Sequence, residues 1–257
     1  MLNQTIQAVR DAGKVMLSFA HPDVYTKEGH ANFVTQGDLA VQKFLLPRLQ
    51  EICPESVFFA EEKENDPLTD RPTWVVDPID GTFNYMRGRG CSSISAALLV
   101  GQEPVLGVVL NPYRDELFSA EKGKGAFLNG TAVHVADTPF ERAMVGFGTS
   151  PYKPALAGRS MKAALRFLLE AGDLRRTGSA AIDLCDVACG RSDVFFELTL
   201  SPWDVAAGAL LVREAGGIFD MPEQSAVSFA APACILAASP ACFGRAREIL
   251  LEAGEES

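Results

Sequence analysis

The densest chemistry in the chain lies in Asp77-Pro78-Ile79-Asp80-Gly81-Thr82. Trp74-Val75-Val76 just before it are apolar and β-prone, so they read as a short buried strand. Pro78 has no N–H for a ladder, so the strand is expected to stop there, with Asp77 at its end and Asp80 in the loop beyond. Asp80-Gly81 is a turn signal. Acids so placed can share a cation. Carboxylate and carbonyl oxygens suit Mg²⁺, and the Ile79 carbonyl is a further ligand candidate. Gly81 and Thr82 would open a helical turn whose free N–H groups can hold a phosphate. Taken alone, the same residues also read as a hairpin turn with two solvated acids.

Two other stretches bear on that choice. Glu61-Glu62 follows the apolar run Val57–Ala60. Trp203-Asp204-Val205-Ala206-Ala207-Gly208 lies far downstream, followed by Glu214-Ala215-Gly216-Gly217. With Asp77–Thr82 as a first signature and Trp203–Gly217 as a second, the chain resembles the inositol monophosphatase family. That family lies within the wider superfamily of Mg²⁺-dependent, lithium-sensitive phosphatases. The resemblance runs from about Lys27 to the last helix.

The resemblance implies an α/β, αβαβα sandwich of the inositol monophosphatase and fructose-1,6-bisphosphatase type. It implies two or three Mg²⁺ ions. Glu61 and Asp77 would hold the first. Asp77, Asp80 and Asp204 would hold the second, with the Ile79 carbonyl, and a weaker third would sit near Glu61. Thr82 and Asp38 would orient the attacking water, with Lys27 close by and Glu62 as a supporting acid. The N–H groups of Gly81 and Thr82 would take phosphate oxygens. Glu197 would accept a hydrogen bond from a substrate hydroxyl, in a pocket also lined by Gly178 and Ser179. The chain departs from relatives at Asn32, where some carry an acid, and at Ala60, where most carry Gly. The implied enzyme is a cytoplasmic homodimer acting on a small-molecule polyol phosphate, foremost myo-inositol monophosphate. A 3′(2′),5′-bisphosphate nucleotidase and a fructose-1,6-bisphosphatase are the alternatives. Asn84-Tyr85 after Thr82 resembles the inositol branch. A non-catalytic metal-binding relative is the remaining reading.

The elements that must position these groups follow from pattern. Residues 3–20 repeat apolar positions at helical spacing, ending before Pro22. A second helix after Asp38 turns Leu39, Val41, Phe44, Leu45 and Leu49 inward. Val57–Ala60 is a strand, and Asn84–Cys91 a loop. Ser92–Val100, Val105–Leu110 and Glu116–Glu121 read as consecutive antiparallel strands. Gly123-Lys124-Gly125 reads as a turn, since no helix of Walker type follows. From Glu141 strands and helices alternate, which implies a layered α/β half. Glu197 is expected to end a strand, Asp204 to begin a helix, and Ser239-Pro240 to start the last one. The expected division is a lobe of residues 1–140 with most metal ligands and a lobe of 141–257 supplying Asp204 and the substrate pocket.

Composition bounds the rest. The 257 residues carry a net charge of −10, which argues against nucleic-acid partners. An acidic protein acting on an anionic ester needs local cations to invert the sign of its site. No apolar run reaches bilayer length and no signal peptide is evident, so no membrane partner is expected. The six cysteines form no C-x-x-C pair and read as reduced thiols. The three histidines are scattered, and none is assigned to catalysis.

Overall fold

The computed structural model describes residues 1–19, 22–27 and 32–255. His21 and His30 lie outside them. Helix α1 spans Leu2–Leu17 and is capped at Ser18, earlier than the expected end before Pro22. A small antiparallel hairpin of β1 (Val24–Thr26) and β2 (Phe33–Thr35) leads into α2 (Gln36–Ile52). Leu39 on α2 proves 47% exposed, whereas Val41, Leu45 and Leu49 are buried. Leu39 immediately follows Asp38, and the α2 face that turns Asp38 inward leaves its neighbour outside.

A seven-stranded sheet follows, in the order β3-β4-β5-β6-β7-β8-β9. Its strands are Val57–Ala60, Thr73–Asp80, Ser93–Val100, Glu103–Asn111, Glu116–Glu121, Ala126–Leu128 and Thr131–Val133. Strands β3 and β4 run parallel and the remaining pairs are antiparallel. Strand β4 does not stop at Pro78 but continues to Asp80. Its pairing with β5 shifts between Asp77↔Ser95 and Asp80↔Ser93, so Pro78-Ile79 face the single residue Ile94. The missing proline N–H is accommodated at this bulge rather than by ending the strand. Helix α3, Thr82–Met86, occupies part of the run expected as a loop. Tyr85 anchors it, its hydroxyl donating to the Met16 carbonyl of α1 at 2.7 Å.

The second sheet has the order β11-β10-β12-β14-β13. In chain order its parts are β10 (Met144–Phe147), α4 (Ala157–Glu170), β11 (Asp173–Arg175), α5 (Ala180–Ala188) and β12 (Val194–Leu200). Then come α6 (Pro202–Glu214), β13 (Ile218–Asp220), β14 (Ala233–Ala238) and α7 (Pro240–Glu255). Strand β10 pairs parallel with both β11 and β12, as the α4 and α5 crossovers require. Glu197 does not end its strand; β12 runs on to Leu200, with a register shift against β14 after Glu197.

Three apolar clusters define five layers. The first joins α1 and α2 to one face of the large sheet, through Val9, Met16, Leu45, Trp74 and Leu106. The second joins that sheet's other face to α5, α6 and the small sheet, through Val75, Leu184, Ala207, Phe195 and Ile235. The third packs α4 and α7 on the small sheet's outer face, through Phe167, Phe196 and Ile249. The order is therefore αβαβα. Close approach of α6 demands glycine at 107, where a Cβ would lie 3.0 Å from the Ala207 carbonyl oxygen.

Candidate active site

The bulge in β4 opens the site. Asp77 and Asp80 are both buried on it, and Asp204 arrives from α6 across the middle layer. One oxygen from each of these three acids lies within 4.8 Å of the others. Each acid is steadied locally. Asp77 Oδ1 accepts the Ile79 N–H at 3.0 Å. Asp80 sits at the N-terminus of α5, where its carboxylate accepts the Ser179 hydroxyl, the Ala181 N–H at 2.8 Å and the Ala180 N–H at 3.3 Å. Asp204 is the third residue of α6 and accepts the Ser201 N–H at 2.7 Å. It is thus part of a capping box with Ser201 and not itself the N-cap.

Asp38 repeats that device on α2. Its Oδ2 accepts the Thr35 N–H at 2.8 Å, and its Oδ1 accepts the Thr82 hydroxyl at 3.3 Å. The Thr82 hydroxyl also lies 3.1 Å from the Ile79 carbonyl oxygen. Glu61 follows β3 and lines the same cavity as the three aspartates, with Ile79, Gly81, Thr82, Gly178, Ser179 and Glu197. Lys27 joins Glu61, at 3.0 Å, to Glu62. Asn32 stands at the cavity wall. Of the sequence-predicted residues, Lys27 and Glu62 are the pair set behind Glu61, while the rest meet at or against the cavity.

The electrostatics are those of buried, crowded acids, with Lys27 the counter-charge to Glu61. Burial pushes Asp77 well above the ordinary carboxylate value, and Glu61, Asp80 and Asp204 add to it. Burial likewise raises Asp204, with Asp80 and Glu61 contributing. It raises Asp80 too, against the hydrogen bonds from α5. Glu61 is raised by burial, with Lys27 opposing. Burial brings Asp38 to about 6 and Glu197 to about 7. For Lys27 burial opposes the charge, but Glu61 and Glu62 outweigh it and raise the pKa. Like charges gathered in low dielectric favour a bound cation, and an all-oxygen donor set with no Cys or His fits Mg²⁺.

Several residues at the site escaped the sequence reading. Ser93 lies 3.4 Å from Asp80 and 3.1 Å from the Ser179 hydroxyl. Ser150, with φ +40°, gives both its N–H and its hydroxyl to Glu197, at 2.7 and 2.9 Å. Asn84 reaches the Thr177 carbonyl at 2.9 Å and so ties α3 to the Gly178 turn. Tyr152, Arg176 and Asp183 line the cavity. The capping boxes were visible as Thr35-x-x-Asp38 and Ser201-x-x-Asp204; the other contacts had no local signal. The Gly123–Gly125 turn binds a carboxylate of the chain itself, since both N–H groups donate to Glu214 at 2.8 Å.

A layered αβαβα fold whose two sheets bring clustered carboxylates to one cavity, beside helix N-termini, suits a phosphoric monoester hydrolase. The chain belongs to the inositol monophosphatase family, whose model matches residues 1–254. Inositol monophosphatase 2 of Solanum lycopersicum is 39% identical over 230 residues, 86% of either chain. The Nus factor SuhB of Escherichia coli is 38% identical, covering 85% of this chain and 84% of its own. The IMPase of Thermotoga maritima shares the fold with a TM-score of 0.90 at 28% identity, over 99% of this chain and 98% of that one.

Proposed function

We propose that this phosphatase removes the phosphate from a small polyol monophosphate, foremost myo-inositol monophosphate, with Mg²⁺ held by Glu61, Asp77, Asp80, Asp204 and the Ile79 carbonyl. The observation that carries the reading is the trio of oxygens from Asp77, Asp80 and Asp204 within 4.8 Å of one another. Bound Mg²⁺ supplies charge neutralisation for the phosphoryl oxygens and acidifies water.

The chain's own groups divide the remaining work. Asp38, fixed by its cap, accepts from Thr82, and the pair orients the attacking water and takes its proton. The N–H groups of Gly81 and Thr82 hold phosphate oxygens at the start of α3. Glu197, held by Ser150, accepts a hydroxyl of the polyol, beside Gly178 and Ser179. Glu62 anchors Lys27, which balances Glu61. The complete acid set argues against a solely non-catalytic role.

The homodimer reading has a surface available to it. Met161, Leu165, Leu168 and Leu169 form one stripe on α4 and are 53–73% exposed. We assign that stripe to a second copy of the chain. Light scattering of Leu165→Glu should then report a monomer. Cysteines that are all unpaired agree with a cytoplasmic setting.

Phosphate release from a panel of esters, with and without Mg²⁺, tests the activity. Turnover should vanish in chelator, return with Mg²⁺ and fall with lithium, which can compete for a cation position. Full turnover in excess chelator would overturn the metal assignment.

A further inference from the structure

Arg176 follows β11 directly and lines the cavity. Among the described lining residues it is the sole cation, set against Glu61, Asp77, Asp80, Asp183, Glu197 and Asp204. Its neighbour Arg175 pairs with Asp173 at 2.5 Å. Arg176 makes no hydrogen bond or ion pair with any described residue, and it is exposed.

The residue is nevertheless aimed and its backbone is pinned. Nη1 of Arg176 lies 3.5 Å from where a Cβ on Gly178 would stand. The following residue, Thr177, accepts from Asn84 at 2.9 Å and donates to Asp183 at 2.7 Å. Gly178 and Glu197 line the same cavity, so the guanidinium stands on the polyol side of it. A planar fork of donors beside a hydroxyl acceptor is suited to an oxyanion. The reacting phosphate would already have a cation held by the clustered acids and the N–H groups at the start of α3.

We propose that Arg176 is a specificity-determining residue that binds a second anionic group on the polyol, a phosphate or carboxylate distinct from the phosphate removed. The proposal rests on the phosphomonoesterase reading above. It adds doubly anionic polyol esters to the substrates the site takes beside myo-inositol monophosphate, although the protein as a whole is acidic.

The test compares the Mg²⁺-loaded parent, Arg176→Gln and Arg176→Lys on three esters. These are a hexitol monophosphate, the matching hexitol bisphosphate, and phosphogluconate, which ends in a carboxylate. The parent should favour the two doubly anionic esters. Arg176→Gln should lower their kcat/KM by about 10- to 100-fold, mostly through KM, and leave the monophosphate within about twofold. Arg176→Lys should recover part of the loss. A fall confined to the bisphosphate assigns the second group as phosphate; a fall for both assigns any oxyanion. An equal fall on all three esters, or none on any, overturns the assignment while leaving the phosphatase reading intact. Failure of the parent to hydrolyse myo-inositol monophosphate as well as these three sinks that reading, and this proposal with it.

Discussion

Asp38 and Asp204 occupy the same position on two different helices. Each is the third helical residue in a capping box, closed on Thr35 in α2 and on Ser201 in α6. Each gives one oxygen to its N-cap N–H, at 2.8 and 2.7 Å. The cap fixes the carboxylate's direction and leaves the other oxygen for the cavity, so one bond serves both helix and site.

This double use separates two variants of Asp204. Asp204→Asn keeps an oxygen for the Ser201 N–H but loses the charge, so Mg²⁺-dependent turnover should fall by orders of magnitude. Asp204→Ala loses the cap as well and should be about 1 kcal/mol less stable than Asp204→Asn. Melts in chelator beside rate assays decide it. Identical melting of the two variants would show that the cap does not hold Asp204.

A similar contrast holds on β4. From its charge and its place in a like-charged cluster, Asp80→Asn is expected to cost far more activity than stability. The hydrogen bonds revise this, because both Asp80 oxygens accept from α5 or Ser179. An amide there sets an NH₂ against a donor in either orientation. Asp77 accepts from Ile79 through one oxygen, so an amide can keep that bond and relieve the like-charge crowding. Both variants should be inactive. In chelator, Asp77→Asn should melt above the parent, and Asp80→Asn should be about 1–3 kcal/mol less stable than Asp77→Asn. Equal melting would mean that the α5 contacts contribute nothing.

Stability of the metal-free protein should fall as pH rises. Burial raises Asp38 from 3.8 to about 6 and Glu197 from 4.5 to about 7. Between the two values of each group the folded state keeps a proton that the unfolded chain has released. Unfolding therefore releases protons, and stability drops across this window until the folded groups have ionised. The midpoint of thermal unfolding in chelator should decline from about pH 5 to about pH 7. With Mg²⁺ the clustered aspartates are held ionised, and the decline should shrink. A rising midpoint over that range in chelator would contradict the burial of these acids.

What the sequence made legible divides along chain distance. Asp77 and Asp80 declared themselves because their chemistry is packed into one short stretch. The antiparallel run β5–β7 was equally plain, since its strands are joined by short turns. Pro78 misled because its missing N–H signals an interruption without saying whether the strand ends or bulges. Leu39 misled because an apolar type on a helix does not fix which face is covered. The meeting of Asp204 with Asp80, and of Asp80 with Ala181 of α5, spans over a hundred residues and leaves no trace in local spacing. Ser150 and Arg176 were invisible for the same reason: their partners, or the absence of partners, exist only in the fold.

Glu197 has a further constraint, imposed by the residue beneath it. An ideal Cβ on Gly148 would stand 1.8 Å from Glu197 Oε2 and 2.1 Å from Cδ. The carboxylate cannot slip aside cheaply, because Ser150 holds Oε1 through two bonds. Gly148→Ala should therefore displace Glu197 and break the contact with the polyol proposed for it. A lost polar contact of this kind costs about 1–3 kcal/mol, or roughly 10- to 100-fold in kcat/KM. The loss should appear with inositol phosphate and hardly at all with a small aryl phosphate, and Glu197→Gln should share that selectivity. Mg²⁺ dependence should match the parent, since neither residue joins the trio of Asp77, Asp80 and Asp204. A double-mutant cycle isolates the cause: in a Glu197→Ala background the added methyl meets no carboxylate, so Gly148→Ala should cost little more. Additive losses in that cycle would mean that Gly148 acts on the site by some route other than Glu197.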